Sequence, residues 1–258
     1  MSAVGSIGGY SPMSNYYQSL SSGSKINSAK DGASELAILE KQDSQVRGYD
    51  AGSGNLEAGK SLANISDGAL GSINDSLQRM KELGVKASNG LLSNDDKKAI
   101  QSEIDQLKQG ITDITSSTNY NGINLLDGSR GNINIVSDGN GANQSVSGSN
   151  ATLEALGIAD FDVTKSFDLK DVDNAIEKVN SMRGGVGAST NGIDYSLYYN
   201  SSAAQNLTAA KSRTGDTEME EYASKLQKDQ TMETYKLMMQ KKQMENDVAS
   251  GQRLFFSI

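Results

Sequence analysis

Residues 56–87 read LEAGKSLANISDGALGSINDSLQRMKELGVKA, and within them Leu56, Gly59, Ala63, Ser66, Leu70, Ile73, Leu77, Met80, Gly84 and Ala87 follow one another at alternating steps of three and four. Steps of this kind put every one of these residues on a single stripe of an α-helix, and their strict seven-residue repeat asks for a partner helix along that stripe. The first half of the seam is lined by small side chains and the second by large ones. A neighbour is therefore expected to approach closely near Gly59 and to interdigitate near Leu77. Upstream, Leu36, Leu39 and Val46 extend the pattern, with no proline in between.

Working outward, Asn89-Gly90 and Leu91-Leu92 break the repeat, and Ser93 followed by Asp96 has the spacing of an N-cap with an acidic third helical residue. The next seam is Ile100, Ile104, Leu107, Ile111 and Ile114, and the short connection makes this second helix the antiparallel neighbour of the first. From Tyr120 the period changes. Asn121-Gly122, the alternation around Ile133 and Ile135, the turn-rich Ser137-Asp138-Gly139-Asn140-Gly141 and a short segment near Val146 predict a small β-hairpin in exposed, mobile Gly/Ser/Asn-rich loops. A third long helix follows on Val172, Ile176, Val179, Val186, Ile193, Leu197, Ala204 and Leu207, with polar Arg183, Thr190 and Asn200 in intervening seam positions. Gly215 interrupts it. The last helix carries its acids first and its lysines later, which suits the helix dipole.

The fold class expected is mainly α: a long antiparallel helical bundle or coiled coil with a small β-hairpin, forming an elongated rod. Thin apolar stripes at the two ends, Tyr10, Met13, Tyr17 and Leu20 in one and Met219, Tyr222, Leu226 and Leu237 in the other, cannot offset their ordering entropy alone. They are expected to pack on each other or on further copies of the chain.

Composition supports narrow seams over a bulky core, since Leu, Ile, Val and Phe together make 51 of 258 residues. It also removes most chemistry. With no Cys and no His there is no disulfide framework, no structural zinc site, no imidazole base and no thiol nucleophile. An enzyme is not expected, nor a cofactor or metal. A net charge of −8 without a basic run disfavours nucleic acid, and no apolar stretch approaches a membrane span. Met1 to Tyr10 lack the basic start and apolar stretch of a cleaved secretory signal.

Two motifs look like chemistry and are better read otherwise. Gly54-Asn-Leu-Glu-Ala-Gly59-Lys60-Ser61 satisfies the phosphate-loop pattern, but that loop must follow a buried strand, whereas Val46 to Ala51 is polar and Gly59 is in register with the seam. Asp138-Gly-Asn-Gly141 resembles part of a calcium loop, yet it lacks the bidentate Glu and reads as a turn.

The segment Leu20-Ser-Ser-Gly-Ser-Lys-Ile-Asn-Ser-Ala-Lys-Asp31 closely resembles the N-terminal signature of bacterial flagellins. The likeness continues through Ser66-Asp-Gly-Ala-Leu70, Leu77-Gln-Arg-Met-Lys-Glu-Leu83, Ala87-Ser-Asn-Gly90, Gln101-Ser-Glu-Ile104 and Tyr120-Asn-Gly-Ile-Asn-Leu-Leu126, and is visible again at Asp171 to Asn180 and around Ser212-Arg213. The resemblance implies paired terminal helices forming an inner domain from residues 1–33 and 215–258. It also implies a rod domain from residues 34–127 and 166–214, with the hairpin and loops at 128–165 and no outer variable domain.

By the same resemblance the protein is a structural subunit of an extracellular flagellar filament, exported by the flagellar type III route without a cleaved signal and serving motility. Its implied partners are itself as a helical homopolymer, an export chaperone, the filament cap and hook-filament junction proteins. The residues Arg79, Leu83 and Glu103 match the motif recognised by the host Toll-like receptor for flagellin, with Leu83 expected beside the seam as an apolar contact between the two charges. The first 19 residues and the ending Arg253-Leu-Phe-Phe-Ser-Ile258 depart from the family's usual termini. They leave a second reading, a divergent junction protein or secreted ligand that does not form bulk filament.

Overall fold

A computed structural model describes residues 12–255, with the side chains of residues 13–246. The elements run α1 (Pro12–Ser22), α2 (Ala33–Ala87), α3 (Asn94–Ser117), β1 (Asn119–Tyr120), β2 (Ile123–Asn124), β3 (Ile133–Val136), β4 (Asn143–Val146), α4 (Leu153–Leu156), α5 (Leu169–Gly215) and α6 (Met219–Phe255). The chain divides into two compact units. Unit 1 comprises residues 1–44 and 206–258, and unit 2 comprises residues 45–205.

Unit 2 holds the main core. Every residue of the predicted seam from Leu56 to Ala87 is buried, as are Ile100, Ile104 and Ile111 of α3 and Val172, Val179, Val186 and Ile193 of α5. A two-in-seven stripe suffices because α3 and α5 close over it and remove its methyl groups from water, at roughly 25 cal/mol per Å². The start of α3 is fixed as its sequence requires. The Ser93 hydroxyl accepts from Asp96 N at 3.2 Å and Ser93 N donates to the Asp96 carboxylate at 3.0 Å, so two backbone donors at the helix start are satisfied reciprocally.

Two antiparallel hairpins follow, β1 with β2 and β3 with β4. The first turns through Asn121 and Gly122 at φ of 50° and 76°, the left-handed pair a two-residue hairpin turn requires.

Most of residues 128–150 are exposed, as expected of these loops, but the second hairpin buries part of one face. Ile135 and Val146 are buried, and so are Ala151, Leu156, Ile158, Phe161 and Val163 further along the 128–165 region. Small residues on the helices beneath the hairpin make the difference. A Cβ on Gly59 would lie 2.0 Å from Ile135 Cδ1, one on Gly52 would lie 2.1 Å from the Ser137 carbonyl oxygen, and one on Gly48 would lie 2.9 Å from Gly139 Cα. On α5, Ser196 Oγ accepts from Gln144 Nε2 at 2.9 Å and Ser189 Oγ accepts from Ser147 N at 3.3 Å. The hairpin thus lies against a glycine ladder on one helix and hydroxyl acceptors on another. Beyond α4, Lys108 on α3 donates to the carbonyls of Ala159 (2.9 Å) and Phe161 (2.6 Å), and Val163 N donates to Gln101 Oε1 at 2.8 Å. Burial holds the Lys108 ammonium below the ordinary lysine pKa.

Unit 1 is built on α1 and α6, which pack together. At their junction Thr217 N donates to Gly23 O at 2.9 Å and Lys25 N donates to Gly215 O at 2.8 Å. Gly215 sits against Leu39, where a Cβ would stand 3.0 Å from Leu39 Cδ2, and Lys211 pairs with Asp43.

Candidate assembly and receptor surfaces

On α1 the half-buried side chains are Met13, Tyr16 and Leu20, around a buried Ser19, and on α6 they include Tyr222 and Leu226. The Tyr16 and Tyr222 rings meet edge to face, centroids 5.8 Å apart at 84°. Lys225, salt-bridged to Glu221 at 2.5 Å, stands 5.2 Å from the Tyr222 ring centre. Sequence reasoning took Tyr17 for this stripe and missed Tyr16. Tyr17 is instead exposed, its hydroxyl accepting from Gln230 Nε2 at 2.8 Å. A period of 3.6 from Met13 reaches 16 and 20 as readily as 17 and 20, so periodicity alone could not choose. Tyr10 lies outside the described residues.

Beyond Gln230 the character of α6 changes. Every residue from 230 to 246 is exposed, and Met232, Tyr235, Leu237, Met238, Met239 and Met244 show between 53% and 68% of their surface. Met219, at the start of the helix, is also exposed. Of the predicted stripe, then, Tyr222 and Leu226 are half-buried within the chain, while Met219 and Leu237 face outward.

In unit 2, Arg79 bridges α2 and α3. Its guanidinium lies 2.7 Å from Glu103 Oε1 and 2.9 Å from Glu82 Oε2, with half of the Arg79 side chain and 44% of the Glu103 side chain exposed. The Glu103 carboxylate, with Glu82 adding to it, raises the arginine pKa above its ordinary value. Leu83 is corrected. It was expected to flank the seam, and it is 3% exposed, a member of the core beside Met80 and Gly84. The chain of 4–3 steps runs through Gly84, against which the Leu169 and Phe161 side chains stand, while Leu83 lies one turn on from Arg79, on the helix face whose Arg79 pairs with Glu103 of α3, and is buried beside the seam.

The nucleotide-loop pattern falls on continuous helix, since residues 54–61 lie inside α2, and among the described residues no strand precedes them. Gly59 is there to admit Ile135, and Lys60 pairs with Asp194 of α5 at 2.6 Å. Asp138 accepts from the backbone N–H groups of Asn140 and Ala142, both at 2.9 Å, and these bonds lower its pKa. It is a turn, and among the described residues no group of three or more acidic side chains could hold a metal ion. Also among the described residues, no helix is long and apolar enough to cross a membrane.

Sequence reasoning gave no role to the polar seam residue Asn200. It is buried and donates to Ser137 O at 2.7 Å, tying the tip of the second hairpin to α5. Its occurrence in an otherwise apolar seam was the available signal.

The comparisons with known proteins agree with this architecture. The sequence profile of the bacterial flagellin N-terminal helical region matches residues 9–130. The chain is 34% identical over 223 residues to the flagellar filament 33 kDa core protein of Treponema phagedenis, covering 78% of each chain. It is 35% identical over 251 residues to the flagellin of Bacillus subtilis, covering 82% of each. Among solved structures, Bacillus cereus flagellin superposes with a TM-score of 0.51 at 30% identity, over 61% of this chain and 94% of that one. A helical chain whose main seam is sealed by its own neighbours, whose last helix is left open, and whose sequence aligns over most of its length with filament proteins belongs to the bacterial flagellin family.

Proposed function

We propose that the chain is the repeating wall subunit of an extracellular flagellar filament serving motility, and that its terminal helices complete their burial only against other copies. The work of such a subunit is mechanical, and the chain is not an enzyme: the proteins it aligns with are structural. The observation that carries this reading is the stretch of α6 beyond Gln230. Six large apolar side chains lie exposed on a helix that buries none of them in the chain as described, an arrangement a monomer has no use for and a polymer does. The same stretch, exposed before assembly, is a natural hold for an export chaperone, with the filament cap and hook-filament junction proteins as neighbours in the finished structure.

Circular dichroism and hydrogen exchange on monomer and on seeded filament test this. Protection of the 230–246 amides is expected to rise steeply on polymerisation. Failure of the pure protein to elongate filament fragments would overturn the reading in favour of a junction protein or secreted ligand.

A contact for the host Toll-like receptor draws support from the exposed Arg79–Glu103 pair. Such a contact would use these two charges and the helix edge around them, with Leu83 acting only by holding that edge in place. A charge reversal, Glu103→Lys, is expected to reduce receptor signalling at least tenfold without loss of helix content. Unchanged signalling would remove this reading.

A further inference from the structure

Two surfaces of unit 2 carry apolar or aromatic groups that the chain leaves largely open. The first is a stripe on α5, where Tyr195, Tyr198 and Tyr199 are 78%, 77% and 60% exposed. Tyr199 meets Tyr49 edge to face at 6.0 Å, whereas Tyr195 and Tyr198 leave more than three quarters of their surface open. The second is a groove of about 280 Å³ between α2 and the two hairpins. Gly59 and Leu62 lie at its floor, Ala58, Tyr120, Ile133 and Val136 along its walls.

These surfaces lie on different flanks. On α2, Lys60 and Asp67 face α5, pairing with Asp194 at 2.6 Å and Arg183 at 2.8 Å, and Ser53 faces Asn200. Ala58 and Leu62 lie on the opposite flank of that helix, turned from α5 and toward the hairpins. A chain therefore cannot fill its own groove with its own tyrosines.

We propose that the tyrosine stripe of one copy docks in the α2–hairpin groove of the next. The inference rests on the filament reading and adds the pair of surfaces that meet. A filament grows by a heterologous contact, in which two unlike patches on the same chain complement each other and the operation relating them does not close. Such a contact needs a protruding patch and a receding one on separate flanks. Tyrosine suits the protruding role because its ring buries a large apolar area with few rotatable bonds while its hydroxyl keeps a partner. The groove offers an apolar lining, with the exposed residues Asn121 and Asn134 beside it to meet those hydroxyls, while the Asn55 amide donates to Val136 O at 3.2 Å and holds the hairpin side in place. A symmetric contact of tyrosine stripe on tyrosine stripe would leave the groove empty and would close at a dimer.

The chain has no cysteine, so single thiols can report the contact without background. Tyr198→Cys and Ala58→Cys, both at exposed positions, are polymerised separately and as an equal mixture, then treated with a short thiol-reactive crosslinker. The mixed filament is expected to give crosslinked dimer and each single variant to stay monomeric. Filaments that form normally but give no dimer from the mixture, or dimer equally from Tyr198→Cys alone, overturn this inference and leave the filament reading standing. If the unsubstituted protein forms no filament, both fall. As a second readout, the double variant Tyr195→Ser with Tyr198→Ser is expected to raise the critical concentration for assembly at least tenfold with unchanged monomer helix content. A change under twofold overturns the proposal.

Discussion

Helix α2 between Leu56 and Ala87 and helix α6 beyond Gln230 are both long, both mostly polar and both marked by recurrent large apolar residues, yet one is sealed and the other is open. In α2 every seam residue is buried, because α3 and α5 lie along it and the stripe is strict. In α6 the residues Met232, Tyr235, Leu237, Met238, Met239 and Met244 spread around the helix without a single seam, and all are exposed. The difference teaches that a narrow stripe with a fixed period selects one partner geometry and is satisfied inside the chain. A broad, methionine-rich face suits several neighbours at once, for flexible thioether side chains adapt to irregular contacts.

Substitutions sharpen that contrast. Leu77→Ala, in the sealed seam, should cost about 2–5 kcal/mol through the cavity it leaves, measured as a loss in thermal or urea unfolding of unit 2. Gly52→Ala strikes α2 further along, under the tip of the second hairpin. Its methyl would stand 2.1 Å from a backbone carbonyl, so the hairpin must shift, at about 1–3 kcal/mol, with chemical-shift changes concentrated at Ser137 and Asp138. Removing the amide in Asn200→Ala leaves that carbonyl without its donor and should cost about 1–3 kcal/mol. A loss equal to that of an exposed substitution would mean water replaces the amide freely.

Acid should loosen unit 2 more gently. The hydroxyl and N–H of Thr164 hold the Asp162 carboxyl down, from 3.8 to about 2, and the guanidinium of Arg183 lowers Asp67. A depressed carboxylate contributes stability that is fully present above its unfolded pKa and lost as pH falls through the folded one. Unfolding temperature should therefore be level above about pH 4 and fall between there and pH 2, with Asp162→Asn flattening part of the slope. The smallest effect is expected in the open region. Leu237→Ala should change monomer stability by less than about 0.5 kcal/mol. The same substitution should still weaken assembly, and an equal loss in monomer and filament would erase the contrast between the two helices.

Much of the architecture followed from local pattern. The buried seam of α2, the capping box at Ser93, the antiparallel turn into α3 and the helix break at Gly215 all depend on residues close in sequence, whose spacing has one cheap solution. The candidate surfaces were harder. Tyr16 and Tyr17 are equivalent to a periodicity argument, and the ring of Tyr222 chose between them. Leu83 looked like a flank because the 4–3 count passes through Gly84, and a seam count does not say how wide the face covered by neighbouring elements will be. The hairpin region, rich in glycine and asparagine, carried no strong hydrophobic signal, and its burial depends on holes left in two distant helices.

The sequence by itself determined the helices, their order, their seams and the lack of thiol and imidazole chemistry, because those depend on spacing and side-chain type alone. Only the tertiary structure decided which flank of each helix is covered, where the glycines of α2 admit the hairpin, and which apolar residues remain open for another copy. Those questions turn on what arrives from far along the chain, and a local period does not encode what will be standing opposite it.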